Sequence, residues 1–593
     1  MYLLLLALAC ASHHGAPPRS ESPVSDSAAA GVQHPALRAL LIDHWEDAMR
    51  RYPLWATAVG DHRYDDRLGD SGPASVEAGT RARDAFIARG RALSGAALGE
   101  ADRRTWSLFM EMLETNAATD ICHSEQWGLS ARTTPVVDLN GLAESMPVVT
   151  VADGKNYTAR LRGAGGYVDG VIANLRAGIT AGRTPARGLV EPVLRQLDEQ
   201  LAQDDAEWVL ARPGLEAHAG WTADEEEAFR VELRAAIGGV RRAYEHFAGF
   251  VADELLPASR PEARAGALYL PDGEACYAAL IRSETSLPKL PAEVHATGLA
   301  ALEGIHAEMV VLGEKLFGTR DLPTILGRLR GDPGLRFTTG AEIQARAEDA
   351  LARANAAVPR FFGRIPEATC TVKPIPDYEA PYTYIAYYNP AVPGERGGEY
   401  RINLSSPETR SRYEMEALSW HEAVPGHHFQ IAIAQELPAL PAFRRHLGTT
   451  AYVEGWALYT ERLADEMGLY SGDLDRMGML SFDAWRASRL VVDTGIHAYG
   501  WDRERAVQFM LANTALAENN IRNEVDRYTS WPGQATAYKI GQIEMWALRH
   551  EAERRLGKRF DIKGFHDVVL SEGAVTLPVL RELVEAWIVA KGG

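Results

Sequence analysis

The chain has 593 residues, 46% hydrophobic and 24% charged, which is the composition of a globular protein and excludes a disordered or fibrous one. Its 80 acidic against 62 basic residues leave a net charge of −18. Such a chain repels phosphate backbones, and no basic patch reverses the sign, so nucleic acid is excluded as a partner.

Leu3 to Ala9 is a short apolar run ending in Ala7-Leu8-Ala9, directly before Cys10. Small residues therefore sit at the −1 and −3 positions of a cleavage site, as in a signal peptide over residues 1–9. Cys10 stands where a bacterial lipoprotein carries its lipid, although the basic start of such signals is missing. The expectation is an exported protein, periplasmic or held at a membrane through an anchor on Cys10. Residues 10–35, rich in Ser, Ala and Pro and containing His13-His14, read as a solvated tether. Residues 36–593 then form the folded part, and no later apolar run approaches the ~18–20 residues that span a bilayer. Setting Cys10 aside, Cys122, Cys276 and Cys370 allow at most one disulfide, and no C-x-x-C motif is present.

Helical periodicity dominates the folded part. Leu37, Leu40, Leu41, Trp45 and Met49 share one helical face. Gly69-Asp70-Ser71-Gly72-Pro73 resembles a serine-protease nucleophile loop, but its helical, polar surroundings make it a turn between helices. Thr222-x-x-Glu225 is a capping box. Behind it Phe229, Leu233, Ile237, Val240, Tyr244, Phe247 and Val251 recur at steps of four and three until Pro257. Prolines 257, 261, 271, 288 and 291 cluster, placing a soft lobe boundary near residues 257–290. Leu302, Ile305, Met309, Leu312 and Leu316 make another helical stripe. Only Tyr382 to Tyr388 and Tyr400 to Leu404, joined through Gly394 and Gly397-Gly398, read as strands, forming a small β-hairpin.

The chemistry follows directly. His421-Glu422-Ala423-Val424-Pro425-Gly426-His427-His428 gathers three imidazoles and a carboxylate in eight residues. Zinc takes imidazole and carboxylate ligands, and hydrolytic sites leave one position open for water. A glutamate beside a ligand histidine can then take the water's proton. The spacing is longer than one helical turn, and seven residues of unbroken helix would span about 10.5 Å. Pro425-Gly426 disrupts the intervening turn, so a bulge can return His427 or His428 to His421.

Glu454, inside the apolar run Ala451 to Ala457, needs a partner and finds one as a third ligand. Asp493 and His497 stand four apart, a spacing that lets a carboxylate orient an imidazole or makes a plain surface pair. Arg527-Tyr528 and Tyr538-Lys539 offer a phenol and cations that could stabilise an oxyanion, or serve structure alone.

HEAVPGHHFQ, VEGWALYTE, VDTGIHAYGW and RYTSWPGQATAYK resemble the signatures of the bacterial domain-of-unknown-function family 885. That family is similar to helical gluzincin peptidases of the carboxypeptidase Taq, oligopeptidase and angiotensin-converting-enzyme type. The resemblance implies a mostly α, two-lobed fold around a deep cleft. It implies His421, His427 and Glu454 as zinc ligands, Glu422 as base, and His497 and Tyr538 as hydrogen-bond donors to the tetrahedral intermediate.

The expected function is zinc-dependent hydrolysis of short peptides, trimmed from one end. His428 would help to orient substrate, and Arg527 or Lys539 would bind a C-terminal carboxylate. The YRINL strand would pair with the peptide main chain at an open edge. Alternatives are a metal-dependent amidase acting on a non-peptide amide, and a non-catalytic lipoprotein that binds metal or peptide. A mere binder has no use for Glu422.

Overall fold

A computed structural model describes residues 27–593 apart from 96, 376–379, 381–384, 392–395, 438 and 447. The signal-peptide segment, Cys10 and the first part of the tether lie outside the described residues. So does the start of the first predicted strand. The protein is mostly helical, and among the described residues no helix is long and apolar enough to cross a membrane. It divides into two compact units. One is Met1–Cys276 with Pro441–Phe443; the other is Tyr277–Leu440 with Arg444–Gly593.

In the first unit the apolar stripes are buried as their spacing predicts. Leu37, Leu40, Leu41, Trp45 and Met49 all face inward from the helix Pro35–Arg51. The helix Ala223–Phe250 starts at the Thr222/Glu225 capping box and buries Phe229 through Phe247 in a hydrophobic core cluster. Ser71 donates to the Tyr167 carbonyl at 2.6 Å, just before Gly72 caps the helix Pro73–Arg91. It is a turn residue. Cys122 and Cys276 are joined in a disulfide, and Cys370 is a free thiol.

Six helices of the second unit matter for the site and are numbered in chain order: α1 (Met415–Glu422), α2 (His427–Gln435), α3 (Thr450–Glu466), α4 (Asp473–His497), α5 (Glu518–Ser530) and α6 (Thr536–Leu556). α4 is buried along nearly its whole length. On one side the helix Pro291–Phe317 presses against it where Gly298 lacks a side chain. A Cβ there would stand 2.7 Å from Leu490 Cβ. α3 and α6 cross still closer. A Cβ on Gly455 would lie 2.6 Å from the Gly541 backbone, and one on Gly541 1.8 Å from the Ala451 carbonyl. Only glycine at both positions lets the two backbones touch.

The predicted hairpin is present but belongs to a three-stranded sheet, β1 (Cys370–Pro374), β2 (Ala386–Asn389) and β3 (Gly398–Ile402), in the order β1-β3-β2. β2 and β3 pair antiparallel with Tyr388 opposite Tyr400, and β1 runs parallel to β3 with Val372 opposite Tyr400. β3 is therefore central, with a neighbour on each side. The open edge expected of the YRINL strand does not exist, so it cannot receive a peptide. β1 escaped detection because CTVKP buries only Val372 and ends in a lysine and a proline.

Candidate metal centre

α1 ends at Glu422 because Pro425 cannot continue it. The predicted bulge is a full break: four residues intervene before α2 opens at His427. Gly426 lies against the end of α1, where a Cβ would stand 1.9 Å from the His421 carbonyl and 2.3 Å from that of Trp420. The chain thus doubles back on itself, and His427 returns to His421. Trp456 of α3 pins the break by donating from Nε1 to the Pro425 carbonyl at 2.9 Å, and Thr460 donates to the Trp420 carbonyl at 3.0 Å. Both tie α3, and with it Glu454, to this turn.

The result is a cluster of His421, His427 and Glu454, whose ligand atoms all lie within 4.8 Å of one another. All three are buried. Glu454 Oε2 stands 3.6 Å from His421 Nε2 and 3.5 Å from His427 Nε2. These gaps are long for hydrogen bonds. They match the ~3.4 Å that separates two donors placed tetrahedrally about 2.05 Å from one zinc ion. Among the described residues Glu454 Oε2 and His427 Nδ1 have no hydrogen-bond partner. An orphaned buried carboxylate oxygen aimed between two imidazoles is costly without a cation. The donor set fits zinc in number, type and spacing.

Without a metal, the same three groups share charge and protons. Burial would raise the Glu454 pKa, but the two imidazoles outweigh it and hold the carboxyl well below its usual range. Burial disfavours charge on His421 too, yet Glu454 and Glu461 outweigh that and raise it to about 9. Glu461 is a residue the sequence reading missed. It follows Glu454 by two helical turns on the same face of α3, and its Oε1 is 2.8 Å from His421 Nδ1. A carboxylate on the far nitrogen fixes a ligand histidine's ring and tautomer. The signal was present as the second glutamate of VEGWALYTE, in an otherwise apolar run.

Glu422 is half-buried beside His421. Burial raises its pKa, which the neighbouring His421 and His427 charges partly offset. A carboxylate with a raised pKa is the stronger proton acceptor. Tyr538 lies near Glu454; burial and then that carboxylate's charge push its phenol above its ordinary value.

The sequence pattern of a bacterial protein family of unknown function, DUF885, matches residues 53–584. The chain belongs to the DUF885 family. No curated protein matches it. A solved structure described as "the putative lipoprotein from Colwellia psychrerythraea" superposes with a TM-score of 0.87 at 24% identity, covering 93% of this chain and 99% of that one. A second, "a putative lipoprotein of unknown function from Shewanella oneidensis", gives 0.73 at 18% identity with the same coverage.

In this DUF885 protein several predicted site residues have other work. His428 accepts from Tyr388 Oη at Nδ1 (2.9 Å) and donates from Nε2 to the Ala368 carbonyl (3.1 Å). Both nitrogens are taken, so it ties α2 to the sheet region rather than orienting substrate. Burial lowers its pKa to about 4, keeping it neutral. Lys539 is buried against Asp483 and donates to Gln542 Oε1 at 2.6 Å. Arg527 pairs through Nε and Nη2 with Glu524 and donates from Nη1 to Gln534 at 2.5 Å. Neither cation predicted to bind a carboxylate is available to do so.

His497 meets the Tyr528 carbonyl through Nε2 at 3.0 Å, and its ring lies against that of Tyr277. Asp493 accepts from Tyr277 Oη at 2.5 Å and from the Gly533 amide at 3.0 Å. Both residues thereby brace the chain from Tyr528 to Gly533 that leads into α6 and Tyr538.

Proposed function

We propose that this DUF885 protein is a zinc-dependent peptidase acting on short peptides, similar in its centre to the helical gluzincins. The observation that carries this reading is Glu454 Oε2, unpaired and 3.5–3.6 Å from two imidazole nitrogens, with Glu422 beside them. A zinc ion held by His421, His427 and Glu454 would supply a Lewis acid for carbonyl polarisation and water activation. Glu422 takes the proton of the attacking water and delivers it to the leaving amine. Glu461 holds the His421 ring in place through Nδ1. Tyr538, a neutral phenol that burial and the Glu454 charge keep protonated, donates a hydrogen bond to the oxygen on which charge develops. A centre this buried admits a flexible chain and excludes a folded protein.

Export belongs to the same reading. The Cys122–Cys276 disulfide suits an oxidising compartment. The two similar structures are described as lipoproteins, in keeping with a lipid on Cys10.

The test measures metal content and turnover of a mixed peptide pool for the wild type and Glu422→Gln. The variant is expected to keep zinc and fold while losing at least ~100-fold in turnover. Equal turnover by the two proteins refutes the role of Glu422, and a wild type that binds no zinc refutes the reading as a whole.

A further inference from the structure

Four cations lie on α4, α5 and α6 around this centre, and three of them are spent. Lys539 is paired with Asp483, and Arg527 with Glu524 and Gln534. Arg489 donates to Tyr528 Oη and Glu524 at 3.0 Å each, leaving only Nη1 unpaired. Arg486 is different. It is 4% exposed, yet its Nε and Nη1 have no hydrogen-bond partner among the described residues. Its closest carboxylate is Glu461, whose Oε1 stays 3.9 Å from Nη2 and is already engaged by His421.

Unsatisfied guanidinium hydrogens are expensive to bury. Had Arg486 evolved only to neutralise Glu461, a fork-to-fork hydrogen-bonded pair would be the cheap solution. Instead Glu461 Oε2 is left unpaired as well. The guanidinium is held rigidly, its carbon 4.1 Å from the Trp485 ring centre and 4.4 Å from that of Phe482. Its charge is felt by Glu422 and Glu454 and by Tyr538, so it borders the groups assigned to the reaction. A fixed, desolvated cation with open donors beside a hydrolytic centre is preorganised for an anion.

We propose that Arg486 binds the free α-carboxylate of the substrate's C-terminal residue, making the protein selective for peptides with an unblocked C-terminus. This rests on the peptidase reading and replaces Arg527 and Lys539 in the role the sequence suggested for them. The carboxylate takes Nε and Nη2, the two nitrogens that share one edge of the guanidinium and of which Nη2 has only Glu461 at 3.9 Å, in the bidentate geometry that an ammonium cannot offer. Anchoring that terminus so near the centre places the bond under attack close to the C-terminal end.

The experiment requires no turnover. Zinc-loaded Glu422→Gln protein is titrated calorimetrically with an N-acetyl dipeptide acid and with its C-terminal amide, with and without Arg486→Met or Arg486→Lys. The acid is expected to bind ~100-fold more tightly than the amide, a preference that Arg486→Met abolishes and Arg486→Lys restores in part. Zinc content is expected to be equal throughout. Equal binding of acid and amide to the parent overturns the proposal. So does a preference that survives Arg486→Met, or zinc lost from both Arg486 variants, which would mean that the residue acts through Glu461. If the acid preference and its loss are seen while the wild type cleaves no peptide, the peptidase reading fails and the carboxylate site stands.

Discussion

Replacing Gly426 by alanine tests the claim that the candidate metal centre is built by a backbone reversal. The added Cβ would sit 1.9 Å from the His421 carbonyl, while real Cβ atoms keep at least 3.0 Å, so the reversal must open by about 1.1 Å. The obstacles are main-chain carbonyls, which cannot swing aside as a side chain can. Metal–ligand distances tolerate about 0.2 Å. A shift five times larger takes His427 Nε2 out of register with Glu454 and His421. Overpacking of this kind costs ~1–3 kcal/mol in stability. The loss of one of three ligands should weaken zinc binding by more than the ~10–100-fold typical of an altered supporting residue. The assay is competitive zinc titration against a chromophoric chelator, with circular dichroism to show that the helices persist. Gly304→Ala, where nothing lies within 4 Å of the added carbon, serves as control and should match the wild type. A folded Gly426→Ala protein with wild-type zinc affinity would refute the reasoning.

Three further outcomes are expected. Glu461→Gln should lower zinc affinity by ~10–100-fold without unfolding the protein, because the amide is a weaker partner for His421 Nδ1–H; unchanged chelator competition would show that this contact is idle. His427→Ala should abolish tight zinc binding, whereas His428→Ala should keep it and loosen the anchoring at Tyr388 and Ala368, seen as faster amide exchange in β2; the reverse metal result would exchange their roles. Asp493 is fully buried, and burial, only partly offset by the Tyr277 hydrogen bond, raises its pKa to about 7. The folded state then holds a proton that the unfolded state releases above about pH 4, so this contribution is complete in acid and is lost as pH rises towards 7. At ~1.4 kcal/mol per unit it amounts to roughly 4 kcal/mol. Urea unfolding of Asp493→Asn should therefore lose less stability between pH 5 and 7 than the wild type; identical slopes would refute the assignment.

Local patterns were legible wherever short-range chemistry decides the outcome. The stripe from Phe229 to Phe247 and the Thr222 cap depend on neighbours three and four residues away, and so could be read directly. The grouping of His421, His427 and Glu454 was readable because imidazoles and a carboxylate in apolar runs need partners, and the site supplies them from one another. Partners brought from afar were not readable. Lys539 looked available until Asp483, 56 residues distant in sequence, proved to hold it, and His428 until Tyr388 and Ala368 filled both its nitrogens. Arg486 shows the converse. An arginine in an ordinary helical segment gives no sign that the fold will bury it without a partner. The strand β1 was invisible because its pairing with β3, not its own composition, makes it a strand.

The meeting of Gly455 with Gly541 has a mechanical meaning. One helix carries Glu454 a single residue away from the crossing, and the other carries Tyr538 three residues away. With no side chain between the backbones, there is nothing compressible at the joint. A rotamer change cannot lengthen it, and a small sliding of either helix is transmitted undiminished to the other. Glu454 and Tyr538 therefore behave as two points on one stiff frame. Carboxylate and phenol are thus tied to each other through a direct contact of backbones.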